Sequence, residues 1–371
     1  MSKGVGTAVI GLGTMGSTHA EWSATLPEAE LKVVCDTMES RAKKIAAKYK
    51  VDYCTDYHDA LERKDVEAVI IVTPTYLHAP IAIEAAKAGK HVAVEKPMCL
   101  NLAEADEMMR AVKNAGVLDA YFENLCFSPS YTQAKKIIKQ GGVGDVFFIR
   151  CCENVGGGVE VVKEMFNALE KKKERGRTLG VWYYDYKRSG GGLLISAGIH
   201  CIMYARYILD REPAVKVYAE LRNLVSPDPR VEDLSFVTVS YKNGQVAWIE
   251  SCHYALGTFD DRAEIYGTKG TIFLDLYRSN PIKVYSQPGY SLIGASMFGS
   301  IPGADKSWSY PAPDEKWSLG YWHEQRHFLR SILAGERPKV NFEDGRASLE
   351  VVIAAYKSRD TGTAISLPIH K

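Results

Sequence analysis

The stretch TAVIGLGTMG, residues 7–16, constrains this chain more than any other. An apolar, strand-like run leads into three glycines spaced G-x-G-x-x-G (Gly11, Gly13 and Gly16), and a helical pattern follows. Glycine at these positions permits a tight turn and lets a pyrophosphate approach the helix N-terminus, with Thr14 and Met15 inside the turn. Alone the pattern is a weak signal. Its setting strengthens it, because an acid, Asp36, lies 20 residues beyond Gly16. Asp36 is placed to bond the adenosine ribose hydroxyls, and its charge repels a 2′-phosphate. Thr37 stands where an arginine often holds that phosphate, so the expected cofactor is NAD rather than NADP.

The neighbouring sequence supplies a sheet for this turn. Strand-like runs fall at TAVIGLG (7–13), LKVVCD (31–36), AVIIVT (68–73), HVAVE (91–95) and VLDAYFEN (117–124), with helical stretches such as RAKKIAAKYK (41–50) and PIAIEAAKAGK (80–90) between them. Continuous apolar strands separated by amphipathic helices predict a parallel sheet covered on both faces, an α/β fold. Ligands of such sheets bind beyond the carboxyl ends of the strands. Thr73-Pro74, Glu95-Lys96-Pro97 and Asn124 fall at such ends, beside the glycine turn and Asp36. Five features from five strands therefore converge on one edge.

At 371 residues the chain is long for one core, so two domains are expected: a nucleotide-binding domain over 1–125 and a second over 126–371. Late helices of the second are allowed to pack back on the first. The formal net charge of +1 gives no nucleic-acid or membrane-surface footprint, and no apolar run reaches the ~20 residues a bilayer span needs. The start runs directly into a strand, leaving no room for a signal peptide. Eight scattered cysteines without a C-x-x-C pair read as reduced, buried thiols of a cytoplasmic protein.

After about residue 128 the periodicity changes. DVFFIRCCE (145–153), AVKVYAEL (214–221), DLSFVTVSY (233–241) and QVAWIESC (245–252) are strand-like, and YKNGQ reads as a hairpin turn between the last two. Sequential order suggests antiparallel pairing. Imperfect alternation suits a sheet with helices on one face and a partner subunit on the other, hence a homo-oligomer (dimer, tetramer or hexamer). Residues 159–175 have the pattern of an amphipathic helix, and 286–318 read as a long ordered loop.

AVIGLGTMGSTHA (8–20), VTPTYLHAPIAIEAAKAGKHVAVEKPM (72–98), ENLCFSPSYTQAKKIIKQGGVGDV (123–146) and GTAISLP (362–368) resemble the glucose–fructose oxidoreductase/inositol dehydrogenase (Gfo/Idh/MocA) family. The Glu-Lys-Pro motif is its most specific marker. The resemblance implies an N-terminal Rossmann domain that binds nicotinamide, and a C-terminal α/β domain with a largely antiparallel open sheet that often forms the oligomer interface. His78 and His19 fall in stretches common in the family, and both read as structural or cofactor-adjacent.

The family pattern G-G-x-L-x-D-x-G-x-H is met here by Gly191, Gly192, Leu194, Gly198 and His200, but the aspartate position is Ser196. The implied chemistry is hydride transfer from a carbinol carbon of a sugar, glycoside or cyclitol to nicotinamide. His200 would serve as general base, and Lys96 would hold the developing negative charge on oxygen. Serine lacks the charge that would stabilise imidazolium, so His200 is a weaker base or another carboxylate compensates. Asp185 is the nearest in sequence. Tyr183 and His323 lie among aromatic residues suited to stacking on sugar rings. HEQRH (323–327) formally matches the zincin motif H-E-x-x-H, but no third-ligand motif follows and no metal is expected. Two other classes stay open: a redox-neutral NAD-dependent glycosidase, marked by hydrolysed product without net NADH, and a non-catalytic sugar or NAD sensor, marked by ligand binding without turnover.

Overall fold

The computed structural model describes residues 4–156, 163–164, 182, 185–226, 228–255, 259–276, 284–285, 308–309 and 315–369. The expected helix over 159–175 and the loop over 286–318 lie almost wholly outside these residues. The chain divides into two compact units. Unit 1 joins Met1–Asn124 to Tyr321–Ala347, and unit 2 joins Leu125–Gly320 to Ser348–Lys371.

Unit 1 is built on strands β1 (Val5–Ile10), β2 (Ala29–Cys35), β3 (Asp52–Cys54), β4 (Ala68–Ile71), β5 (His91–Glu95) and β6 (Asp119–Phe122). They form one parallel sheet in the order β3-β2-β1-β4-β5-β6. β1 and β4 are buried at every residue, which is why their sequences are continuously apolar rather than alternating. The crossovers run through helices α1 (Thr14–Thr25), α2 (Glu39–Tyr49), α3 (Tyr57–Glu62), α4 (His78–Lys87) and α5 (Leu102–Ala115). Asn101 caps α5 by accepting from the Glu104 N–H, and Gly116 closes it in the left-handed region.

Unit 2 contains α6 (Pro129–Lys139), α7 (Tyr186–Ser189), a π-helical turn (Leu194–Gly198), α8 (Ile199–Ile208) and α9 (Glu315–Ser318). Helix α10 (Tyr321–Ala334) belongs to unit 1, and α11 (Phe342–Thr361) starts in unit 1 and ends in unit 2. The sheet of unit 2 comprises β7 (Val146–Gly156), β8 (Ala214–Arg222), β9 (Leu234–Tyr241), β10 (Val246–Ala255), β11 (Asp260–Gly267) and β12 (Gly270–Asp275). Two short strands, β13 (Val284–Tyr285) and β14 (Trp308–Ser309), form a separate ribbon, and β15 (Ile365–Ser366) completes the main sheet. Its order is β12-β11-β7-β10-β9-β8-β15.

The sheet is mostly antiparallel, with one correction to the expected pairing: β7 and β10 run parallel. β10 is the second arm of the 241–245 hairpin, so β9 occupies its other edge and β7 takes the open one. One face carries Ile149, Ala247, Ile249, Val237, Val239, Val217, Ala263 and Ile265, all buried. The opposite face carries a row fixed by register: Phe273, Glu264, Arg150, Trp248, Thr238 and Tyr218. Phe273 is 70% exposed, and the Arg150 guanidinium lies 5.4 Å from the centre of the Trp248 ring.

Candidate active site

The carboxyl ends of β1, β2, β4, β5 and β6 gather the predicted nucleotide residues on one edge of unit 1. Gly11 turns the chain out of β1 with φ of +89°. A Cβ on Gly16 would sit 1.8 Å from the Gly11 carbonyl oxygen, so the first turn of α1 packs too closely on the strand end for any side chain. Gly13 and Thr14 are exposed and Met15 is half-buried. Helix α1 begins at Gly13 with no side-chain cap and no acid in its first turn, which leaves its first amides to an anion from outside.

Asp36 stands at the end of β2, almost buried. Its Oδ2 accepts from the Leu12 N–H at 2.9 Å and its Oδ1 from the Met38 N–H at 2.8 Å. Arg41 pairs with Oδ2 at 2.9 Å. The sequence reading missed this arginine, which reaches back from α2 to the acid rather than standing at position 37. At the end of β4, the Thr73 Oγ1 is buried without a hydrogen-bond partner among the described residues. An uncapped helix N-terminus, an acid at the β2 end and an orphaned hydroxyl at the β4 end fit a dinucleotide.

His78 ties two of these strand ends together. Its Nδ1 lies 2.9 Å from the Pro97 carbonyl and its Nε2 2.7 Å from the Thr73 carbonyl. Pro74 and half-buried Lys96 flank these anchors, and Asn124 is buried just beyond β6. Both sequence halves of the chain carry the corresponding family profiles. Residues 5–122 match an oxidoreductase family with an NAD-binding Rossmann fold, and residues 131–273 match the GFO/IDH/MocA C-terminal domain.

The chain belongs to the GFO/IDH/MocA oxidoreductases. It is 28% identical to the myo-inositol 2-dehydrogenase of Thermotoga maritima (strain ATCC 43589 / DSM 3109 / JCM 10099 / NBRC 100826 / MSB8) over 364 residues, 97% of each chain. It is also 28% identical to the scyllo-inositol 2-dehydrogenase (NAD(+)) of Bacillus subtilis (strain 168) over 379 aligned positions, covering 100% of this chain and 98% of that one. The crystal structure of GenD2 from gentamicin A biosynthesis, in complex with NAD, superposes with a TM-score of 0.86 at 25% identity, covering 100% of this chain and 98% of that one. This GFO/IDH/MocA protein is an NAD-dependent oxidoreductase, and NAD, when bound, accepts or returns the hydride.

The glutamate of the family's Glu-Lys-Pro motif is part of a buried network within unit 1. Gln325 on α10 donates through Nε2 to the His19 carbonyl and the Ser23 hydroxyl, so its Oε1 faces His19 Nδ1 at 2.8 Å, which donates to it. His19 Nε2 lies 2.9 Å from Glu95 Oε1, and Glu95 Oε2 accepts the Lys96 backbone N–H at 2.9 Å. Burial opposes the Glu95 charge, but His19 and Lys96 hold its carboxyl below the usual range. Glu324 has both carboxylate oxygens buried with no side-chain partner among the described residues, and burial, aided by the charges of Glu95 and Glu123, pushes its carboxyl well above the usual range. The sequence had shown Glu324 only as the middle of HEQRH. The two histidines of that motif diverge in use: His327 Nε2 accepts the Lys339 N–H at 2.8 Å, whereas His323 packs edge-on against Trp322.

In unit 2 the glycine-rich segment is held by close approach. A Cβ on Gly192 would lie 1.9 Å from the Glu232 carbonyl oxygen, and one on Gly191 would lie 1.9 Å from the Tyr356 hydroxyl. The Glu232 carboxylate accepts the N–H groups of Gly192 at 2.9 Å and Leu194 at 2.8 Å, and the Tyr356 hydroxyl at 3.2 Å. Burial pushes this carboxyl up to about 7 against the pull of those donors. The π turn over Leu194–Gly198 then leads into α8, so Ser196 and His200 lie in consecutive turns of different winding. Both are buried, and the Ser196 hydroxyl donates to the Leu193 carbonyl at 3.3 Å.

Asp185, the nearest carboxylate in sequence to Ser196, has local partners. It caps α7 by accepting the Lys187 N–H at 3.1 Å, with Arg188 3.6 Å away. The carboxylate brought to His200 is Glu153 of β7, Oε1 to Nε2 4.0 Å. Sequence separation hid it, since only the packing of α8 on the sheet brings residue 153 to residue 200. Tyr183 lies outside the described residues.

Proposed function

We propose that this oxidoreductase is a cyclitol or sugar dehydrogenase that oxidises a secondary hydroxyl. The observation that carries the reading is the nucleotide edge ending in Lys96, in a chain that aligns end to end with inositol 2-dehydrogenases. His200 takes the hydroxyl proton as hydride leaves the same carbon for nicotinamide, and the Lys96 ammonium stabilises the oxygen as charge builds on it. Ser196, Asp185, Tyr183 and His323 are the candidate substrate contacts. The protein acts as a cytoplasmic homo-oligomer, assembled through the exposed row of the unit 2 sheet.

The test is NADH formation from NAD with myo-inositol, scyllo-inositol, free hexoses and aryl glycosides. His200→Ala and Lys96→Met should each lower kcat by about 10²–10⁴ while leaving NAD affinity within about threefold. Aglycone release without net NADH would replace this reading with redox-neutral glycoside cleavage. Tight ligand binding with no turnover would replace it with sensing.

A further inference from the structure

With serine at position 196, the turn preceding His200 brings no charge of its own. A base that accepts a proton in a buried site becomes a cation with little water around it, and a neighbouring carboxylate lowers that cost. The helix-facing side of the unit 2 sheet has a row suited to this. Register aligns Asp261 of β11, Glu153 of β7, Ser251 of β10 and Ser235 of β9. The adjoining row, Ala263, Cys151, Ile249 and Val237, is apolar and buried.

Three members of the polar row bond to one another or to α6. Asp261 accepts the Tyr131 hydroxyl at 3.0 Å, and the hydroxyls of Ser235 and Ser251 lie 2.5 Å apart. Glu153 is the one that faces His200, with the histidine side chain only 5% exposed and the glutamate 18%. At 4.0 Å the two interact as charges rather than through a hydrogen bond. Among the described residues, the titratable groups packed around Glu153 include Cys151 on β7, Cys201 and Tyr204 on α8, Asp261 on β11 and Tyr131 on α6, and β10 carries His253 two residues beyond Ser251. Burial pushes His253 down to about 4 against the charge of Asp233, so it adds no positive charge at neutral pH.

We propose that Glu153 is a positioning residue that supplies the counter-charge for His200, a strand carboxylate in place of one on the helix turn. The inference rests on the reading of His200 as the base. In the step concerned, the substrate O–H bond breaks and its proton passes to His200. The electron pair left on oxygen closes the C=O bond, and hydride leaves the carbon for nicotinamide. Glu153 keeps its own proton count and favours the imidazolium form.

The experiment follows the imidazole carbon and proton signals of His200 through a pH titration of the full-length protein, assigned with His200→Asn. Wild type is compared with Glu153→Gln and with Glu153→Gln/Ser196→Asp. The midpoint should fall by about one unit in the glutamine variant and recover by at least half in the double variant. The acid limb of kcat/KM should move with it. Equal midpoints in wild type and Glu153→Gln overturn the proposal. If Glu153→Gln does not fold, the comparison is made in the Ser196→Asp background: the double variant should titrate about one unit below Ser196→Asp alone, and equal midpoints overturn the assignment. The titration needs no turnover, so a protein that oxidises nothing in the substrate panel sinks the dehydrogenase reading without altering this result.

Discussion

At the scale of single residues, the nucleotide edge is governed by what has no side chain. Gly16 tolerates no Cβ because the obstacle is the backbone of Gly11, which has nowhere to shift while it also accommodates the turn out of β1. Gly16→Ala should therefore weaken NAD binding by about tenfold or more, read by quenching of intrinsic fluorescence on titration with NAD, and lower the melting temperature as well. An unchanged affinity would mean that the phosphates do not lie on this turn. The glycine pattern and Asp36 were legible because this chemistry is local in sequence. Arg41 was not, because a side chain reaching back from the next helix leaves no motif. Glu153 was hidden for the same kind of reason, its partner being set by the packing of a helix on the sheet and not by spacing.

At the scale of elements, the buried carboxylate of Glu232 organises the approach to the π turn. It lies 40 residues beyond the Gly192 amide it accepts, so no local pattern marks it. A carboxyl raised to about 7 in the folded protein, against an ordinary value near 4.5, binds more protons folded than unfolded. Its contribution to stability is thus greatest below the unfolded value and is lost as pH rises toward 7. The difference in melting temperature between Glu232→Gln and wild type should consequently move in favour of the variant from pH 5 to pH 8. A difference independent of pH would show that the acid is ionised throughout. The strands themselves were readable from apolar runs, and the helices from their amphipathic pattern. The parallel pairing of β7 with β10 was not, since nothing in either strand names its neighbour.

At the scale of the whole molecule, the exposed row from Phe273 to Tyr218 is a sheet face with aromatic rings at its ends and centre. Arg150 is pinned within it, 3.6 Å from Glu250 and 3.8 Å from Glu264. In the proposed homo-oligomer, identical copies would bury one another's rings here and match the charged cluster across a twofold axis. Trp248→Glu should reduce the solution mass measured by sedimentation velocity to that of a single chain. A wild-type protein already sedimenting as a single chain would remove the sheet as an assembly surface.

Unit 1 is written in two pieces of sequence, and this has a consequence for how the protein is made. His19 and Gln325 are 306 residues apart, Trp22 stacks on Tyr321, and the Phe342 N–H is accepted by Asp119 at 2.7 Å. On the ribosome, residues 4–124 must wait for residues 321–347, made about 200 residues later, to close their core. A chain cut short before residue 321 would therefore keep most strands of the unit 2 sheet and show its damage at the cofactor site, about 200 residues earlier in the sequence.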